Sequence, residues 1–253
     1  MAGTGLERLR RFWAGDNGLT FLSAVLLLLI FVVLPLQSAS FGDEIGFDVT
    51  LTFLMISGAV AVHRSRFWRW ATITFAVAAI ALRWASSLSH IESLMLASAL
   101  VNCAAVLLFA RTTLMVVFYG GAVTLSRVQG GVAAYLLLGI AWAFAYQAIV
   151  LGNPHALHFP QPSDAQNLSQ TLIYFSFITM TTLGYGDIFP ISPLARAVVT
   201  GEALVGQLFP AIFIAAMVSL AMRQQTRLTA PPPAGAPPAQ PPADAPARPP
   251  TAS

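Results

Sequence analysis

Six apolar runs, most of them close to the length of a membrane-crossing helix, are the feature that most constrains this chain. A helix needs about 20 mainly apolar residues to cross a bilayer. The second and third runs are short and must include flanking residues. The sequence therefore predicts an all-α integral membrane protein with six transmembrane helices. The runs lie at about 19–36, 49–63, 71–85, 91–110, 130–151 and 194–222.

The composition supports a membrane protein and excludes some other classes. Only 9% of the residues are charged and 57% are hydrophobic, whereas soluble domains carry about 25% charged residues. The formal net charge of +3 is too small for a nucleic-acid-binding surface, so we expect no nucleic-acid partner. The single cysteine, Cys103, excludes an intramolecular disulfide.

The loop charges predict the orientation of the chain. Arginines occur in the N-terminal tail and again at 64–69, whereas the loop at 37–48 carries three acidic residues and no arginine. The positive-inside rule then puts the N-terminus in the cytoplasm, and six crossings put both termini there. We expect a multi-pass protein of the cell membrane, either a plasma or a bacterial inner membrane. A cleaved signal peptide is disfavoured because the first run exceeds the usual 7–15 apolar residues.

The stretch at 112–126 is apolar enough to be a seventh span. A seventh span would turn the 152–193 segment toward the cytoplasm, so we interpret it as a linker helix along the inner surface. The Pro/Ala-rich end of the chain cannot bury enough apolar surface to fold. The predicted organisation is an N-terminal tail (1–18), a four-helix transmembrane domain (19–110), an interfacial linker helix (111–128), a pore domain (129–222) and a disordered tail (223–253).

A short apolar helix at 169–181 runs into the sequence Thr-Leu-Gly-Tyr-Gly-Asp at 182–187. The helix is too short to span the membrane, so the segment is predicted to be re-entrant and to line a water-filled path. Backbone carbonyls of residues 182–185, with the Thr182 hydroxyl, can replace the hydration water of a cation. Gly184 and Gly186 permit the backbone conformations that this requires. The negative C-terminal end of the helix dipole would favour a cation.

The run TMTTLGYGD between two apolar spans resembles the signature of potassium channels, and the resemblance extends over about 130–222. It implies a filter whose first four residues bind K⁺ as the permeant ion, with no cofactor, and with leucine replacing the usual valine. One loop per chain and no internal repeat predict a homotetramer in membrane lipid. The implied filter residues are Thr182, Leu183, Gly184, Tyr185 and Gly186.

The resemblance also implies roles for positions after the filter. Gly206 matches a gating-hinge glycine, and Pro210 would remove the helical hydrogen bond to its carbonyl, so that the two form one bending point. A static kink is the alternative. Gln207 is expected to face the cavity, and Phe189 matches an aromatic residue that forms a ring at the outer mouth.

Filter support is expected from residues behind the loop. Tyr174 and Phe175 match two tryptophans of related channels; Tyr174 can hydrogen bond to Asp187, but Phe175 has no donor for the Tyr185 hydroxyl. We therefore expect a filter prone to inactivation, with current decay in Phe175→Trp as the test. Glu202, a carboxylate within the last apolar run, would brace the pore helix, be protonated, or be a structural hydrogen-bonded residue.

The fourth run contains no arginine or lysine, so weak or no voltage dependence is predicted. The tail cannot supply a ligand-binding domain, which leaves a regulatory subunit as a possible partner.

No catalytic motif is recognisable, so an enzyme is not expected. One alternative is a non-conducting or regulatory channel subunit. Another is a subunit of a potassium uptake transporter, although such chains carry four pore loops. The intact filter tyrosine disfavours a third alternative, a non-selective cation channel.

Overall fold

The computed structural model describes residues 17–33, 49, 52, 66–89, 91–119, 124–161 and 168–229. The regular secondary structure of these residues is helical apart from one small sheet, which confirms the predicted all-α class. The helices are α1 (Asn17–Leu28), which continues into a π-helical turn (Leu29–Val33), α2 (Arg66–Ser89), α3 (Glu92–Tyr119), α4 (Leu125–Gly152), α5 (Leu168–Met180) and α6 (Pro193–Thr229). The strands are β1 (Leu157–His158) and β2 (Phe189–Pro190).

Three of the described helices, α3, α4 and α6, are long and apolar enough to cross a membrane. Helix α2 contains a shorter apolar stretch, Trp70–Ser86, and α1 covers most of the first predicted run. The second predicted run, apart from residues 49 and 52, lies outside the described residues, as does nearly all of both predicted tails. The count of six spans therefore stays a prediction.

The structure differs from the predicted linker helix at 111–128. Helix α3 continues through Arg111 to Tyr119, and α4 already begins at Leu125. Thr112 does not interrupt α3, because its hydroxyl donates to the carbonyls of Leu108 and Phe109 at 2.9 Å. One arginine and two threonines are therefore too few to end a helix of this apolar content. The other domain boundaries stay predictions.

Helix α4 is the centre of the described fold, because it packs against α1, α3, α5 and α6. Its buried face is rich in small residues, which let helices approach closely within a membrane. The large buried side chains of the core include Leu26, Phe109, Leu137, Tyr146 and Leu172.

Helix α5 is anchored before it reaches the loop that follows it. At its start, the Ser169 hydroxyl lies 3.4 Å from both Gln147 Nε2 of α4 and Arg83 Nη2 of α2. The segment before α5 and the segment after the loop are also tied to each other. Strands β1 and β2 pair in antiparallel register, and the Ile191 N–H donates to the Ala156 carbonyl at 2.8 Å.

Candidate functional site

The end of α5 sets the backbone of the loop that follows it. The Leu183 N–H donates to the Ile178 carbonyl and the Thr182 N–H donates to the Thr179 carbonyl, both at 2.9 Å. These bonds form a Schellman motif, in which glycine usually occupies the position that Thr182 holds. Thr182 has a φ of 60°, which for a β-branched residue is a true outlier costing about 1–3 kcal/mol. Backbone outliers of this kind cluster at functional sites.

The remaining carbonyls at the end of α5 also have partners. A helix leaves its last four carbonyls without intrahelical donors. The Phe177 carbonyl accepts the Thr181 N–H at 3.0 Å, and the Met180 carbonyl accepts the Tyr135 hydroxyl of α4 at 3.2 Å. All four carbonyls are thus paired, which fixes where the loop leaves the helix.

Positive φ angles recur at every second residue of the loop. They are 60° at Thr182, 50° at Gly184 and 78° at Gly186. In an ordinary strand successive carbonyls point to opposite sides, and a left-handed residue at alternate positions is what allows them to face the same side. The loop thus has the backbone needed for a row of oxygen ligands, as in channel filters built from rings of carbonyls.

The loop is not enclosed by its own chain. Residues 181–186 are all exposed, and the exposed fraction reaches 55% at Leu183 and 69% at Tyr185. Helix α6 also presents exposed large apolar side chains, among them Leu204, Leu208 and Ile212. On a helix long and apolar enough to cross a membrane, such a face contacts either lipid or a neighbouring helix.

The exit of the loop is tied back to α5. The Tyr174 hydroxyl donates to Asp187 Oδ2 at 2.8 Å, and Asp187 Oδ1 accepts the Ile188 N–H at 2.9 Å. The hydrogen bond expected of Tyr174 is therefore present. Asp187 uses both carboxyl oxygens to join α5 to the segment that follows the loop.

For the channel filter that the sequence resemblance implies, replacing Tyr174 with phenylalanine is expected to speed the loss of current during sustained opening. The variant removes only the hydroxyl, and a hydrogen bond to a charged group contributes about 1.5–3 kcal/mol. The measurement is the time course of current decay. Asp187→Asn is the companion variant, because it keeps an acceptor oxygen but loses the charge. Decay in Tyr174→Phe equal to that of the unaltered protein would show that this bond does not hold the loop.

Phe175 lies in the core of its own chain, and its expected place in the support of the filter stays a prediction. Its ring is 3% exposed and packs edge-to-face on Tyr146 of α4, with ring centroids 5.1 Å apart. Adjacent residues point to different sides of a helix, so Phe175 faces the core while Tyr174 faces the loop exit. Phe175 is therefore a core residue within its own chain.

Glu202 of α6 lies behind α5 with no exposed surface. The Tyr146 hydroxyl of α4 donates to its Oε2, and the Ser176 hydroxyl of α5 lies 2.5 Å from its Oε1. Three helices therefore meet in one buried polar cluster. Sequence reasoning identified Glu202 but missed Tyr146 and Ser176, whose signal is a polar group inside an apolar helix.

Gly206 has a packing role that sequence reasoning missed. A Cβ atom at this position would overlap the Met180 carbonyl oxygen and side chain, so α6 approaches the end of α5 through this glycine. Helix α6 is continuous from Pro193 to Thr229 and contains Pro210. The hinge role of Gly206 and Pro210 stays a prediction.

The two remaining predicted positions are both exposed. The Phe189 ring follows the loop and stacks on His158 of β1 with centroids 4.5 Å apart. Gln207 lies on α6 next to Gly206, and its place at a cavity stays a prediction.

Comparison with known proteins places this geometry in context. The family model described as an ion channel matches residues 156–223, from β1 through α5 and the loop into α6. The chain is 39% identical over 98 residues to the inward rectifier potassium channel Kirbac3.1 of Paramagnetospirillum magnetotacticum, covering 38% of this chain and 28% of that protein.

Two shorter relatives also match. Protein LctB of Bacillus caldotenax is 33% identical over 84 residues, covering 32% of this chain and 61% of the relative. Protein LctB of Geobacillus stearothermophilus is 31% identical over 83 residues, covering 31% and 59%. The chain thus spans about three fifths of the length of these relatives. The comparison with solved structures found no significant match.

Proposed function

We propose that this chain is the pore-forming subunit of a potassium-selective channel in the cell membrane, supported by the ion channel family model that matches residues 156–223 and by its similarity to Kirbac3.1. The observation that carries the proposal is the alternation of positive φ at Thr182, Gly184 and Gly186 directly after a short, fully capped helix. The carbonyls of residues 182–185, with the Thr182 hydroxyl, would replace the hydration water of K⁺. Transport would be passive, with no catalytic step.

A tetramer would complete the pore. One chain supplies one loop, and ringing an ion requires four of them around an axis. The exposed Leu183 and Tyr185 and the apolar face of α6 support this, because neighbouring copies would cover them. Within such a ring the side chains would pack outward from the axis, while the carbonyls face the ion.

Potassium is the ion we favour. The relative Kirbac3.1 is named as a potassium channel, and the loop keeps the tyrosine of the potassium-channel signature at Tyr185. Backbone carbonyls, rather than a ring of carboxylates, would provide the ligands.

The remaining features of the proposal concern topology and gating. We propose six spans, a re-entrant α5 and cytoplasmic termini, following the loop charges. Helix α3 contains a single arginine, Arg111, and each charge crossing the membrane contributes only about 2.3 kcal/mol per 100 mV. We therefore expect weak or no voltage dependence.

Potassium flux into liposomes that contain the purified protein tests the proposal. We expect K⁺ uptake down its gradient, with the protein migrating as a tetramer in detergent. A protein that forms tetramers but carries no K⁺ at any voltage or pH would contradict a pore-forming role and favour a silent subunit. A protein that remains monomeric in lipid would contradict the proposed ring.

A further inference from the structure

The buried cluster around Glu202 contains three short oxygen–oxygen contacts, but its two hydroxyl groups have only two protons to place in them if Glu202 is ionised. Ser176 Oγ lies 2.5 Å from Glu202 Oε1 and also 2.7 Å from the carbonyl oxygen of Gly139 on α4. The Tyr146 hydroxyl contacts Glu202 Oε2. Ser176, Tyr146 and Glu202 are all fully or almost fully buried, so their hydrogen bonds must be supplied from within the cluster.

The Ser176 hydroxyl cannot supply a proton to both of its short contacts. A hydroxyl group has one proton to donate, and a peptide carbonyl has none. If Ser176 donates to the Gly139 carbonyl, the contact between Ser176 and an ionised Glu202 brings two acceptor oxygens together with no proton between them. If it donates to Glu202 instead, the Gly139 carbonyl contact has no proton. An ionised carboxylate therefore leaves one of the two short contacts unsatisfied.

A neutral carboxylic acid removes this conflict. Its O–H donates to Ser176 Oγ, Ser176 donates to the Gly139 carbonyl, and Tyr146 donates to Glu202 Oε2. Each of the three contacts then holds one proton. The carboxyl group acts as a donor through one oxygen and as an acceptor through the other.

The surroundings of Glu202 also favour the neutral acid, because they offer it no cation. Tyr146 and, at longer range, Tyr135 are the titratable groups that face Glu202 from α4, and α5 offers only the Ser176 hydroxyl. On α6 itself, Arg196 is exposed and donates to the Pro190 carbonyl. No described cation pairs with Glu202, and a buried carboxylate without a cation is costly.

We propose that Glu202 carries a proton in the resting channel and that this neutral acid is the hydrogen-bonded link from α6 to α5 behind the filter. Ser176 lies six residues before Thr182 on the helix whose end positions the loop. Glu202 is thus a positioning residue that acts on the filter through Ser176. The consequence for ion flow rests on the proposed channel function, whereas the protonation state does not.

Infrared spectroscopy tests the protonation state directly, without ion flow. The protein reconstituted in lipid at neutral pH is expected to show the C=O stretching band of a protonated carboxyl group. The band should shift in D₂O and be missing in Glu202→Gln. Identical carboxyl bands in the two proteins would mean that Glu202 is ionised, and would overturn the proposal even if the channel conducts.

A pair of variants tests the link in a conducting channel. Glu202→Gln is nearly isosteric with the neutral acid, since its amide donates and accepts at the same places, so it is expected to retain K⁺ flux. Glu202→Ala removes the acceptor of the buried Tyr146 hydroxyl and the donor to Ser176, so its flux should fall well below that of Glu202→Gln. A Gln variant as impaired as the Ala variant would contradict a neutral link.

The pH dependence separates this role from simple packing. Raising the pH is expected to reduce flux in the unaltered protein as the acid loses its proton, because the donor to Ser176 is then lost. Glu202→Gln has no such proton and should give a flat profile over the same range. Equal pH profiles in the two proteins would contradict the proposal, whatever the absolute flux.

Discussion

Replacing Gly206 with alanine is expected to abolish potassium flux and to lower the thermal stability of the protein. The added Cβ would overlap the carbonyl oxygen of Met180, which is backbone at the end of α5 and cannot rotate away. The same carbonyl accepts the Tyr135 hydroxyl, so a displacement would also break that bond. Overpacking in a rigid contact costs about 1–3 kcal/mol or more, and α5 carries the filter loop.

Gly201→Ala is the matched control for this variant. Gly201 lies on the same helix, and no described atom lies within 4 Å of a Cβ built there. An alanine in a helix interior is more favourable than glycine by about 1 kcal/mol, so this variant should conduct and melt at the same or a slightly higher temperature. Thermal unfolding and flux are measured on both. Gly206→Ala that melts like Gly201→Ala would contradict the close packing and leave the hinge as the role of Gly206.

Replacing Gly184 or Gly186 with alanine is expected to abolish selective flux while leaving the fold of the single chain almost unchanged. No described atom lies within 4 Å of a Cβ at either position, but φ is 50° and 78° there. An alanine in the left-handed region costs about 1–2 kcal/mol, and a tetramer would carry that cost four times around one ion path. The effect therefore acts on backbone conformation and not on packing.

Gly152→Ala controls for the loss of a glycine as such. It also has no described neighbour within 4 Å, and its φ is outside the positive range. We expect it to conduct normally and to melt at the temperature of the unaltered protein, whereas strain in the two loop variants should lower their melting temperatures by a few degrees. Wild-type selectivity in both loop variants would contradict the assignment of these glycines to the ion path.

Much of the fold can be predicted from the apolar runs. They indicated the helical class and the position of each described helix, but several ends differ by about five residues, and α3 and α6 continue well beyond the predicted ends at 110 and 222. At residues 111–128 the prediction rested on the side of the membrane that the 152–193 segment would face, whereas α3 continues to Tyr119 and the hydroxyl of Thr112 is satisfied within that helix. Hydropathy cannot show whether a polar group in an apolar stretch ends a helix or finds a backbone partner within it.

Part of the candidate site could also be predicted from the sequence, and part of it depends on how the helices pack. The motif TLGYGD and the Tyr174 to Asp187 bond follow from the order of residues, because the loop is local in sequence. The place of Phe175 and the contact at Gly206 depend on which helix faces which, and the order of residues does not contain that information. The same holds for the hydroxyl partners of Glu202, which lie 26 and 56 residues away along the chain.

Reversal potential under bi-ionic conditions tests the central claim most directly. The purified channel is placed in a planar bilayer with potassium on one side and sodium on the other, and the voltage of zero current is recorded. A potassium-selective filter at residues 182–186 predicts a reversal potential far from zero, with the sign that potassium alone would set. A reversal potential near zero, with current carried equally by both ions, would contradict potassium selectivity.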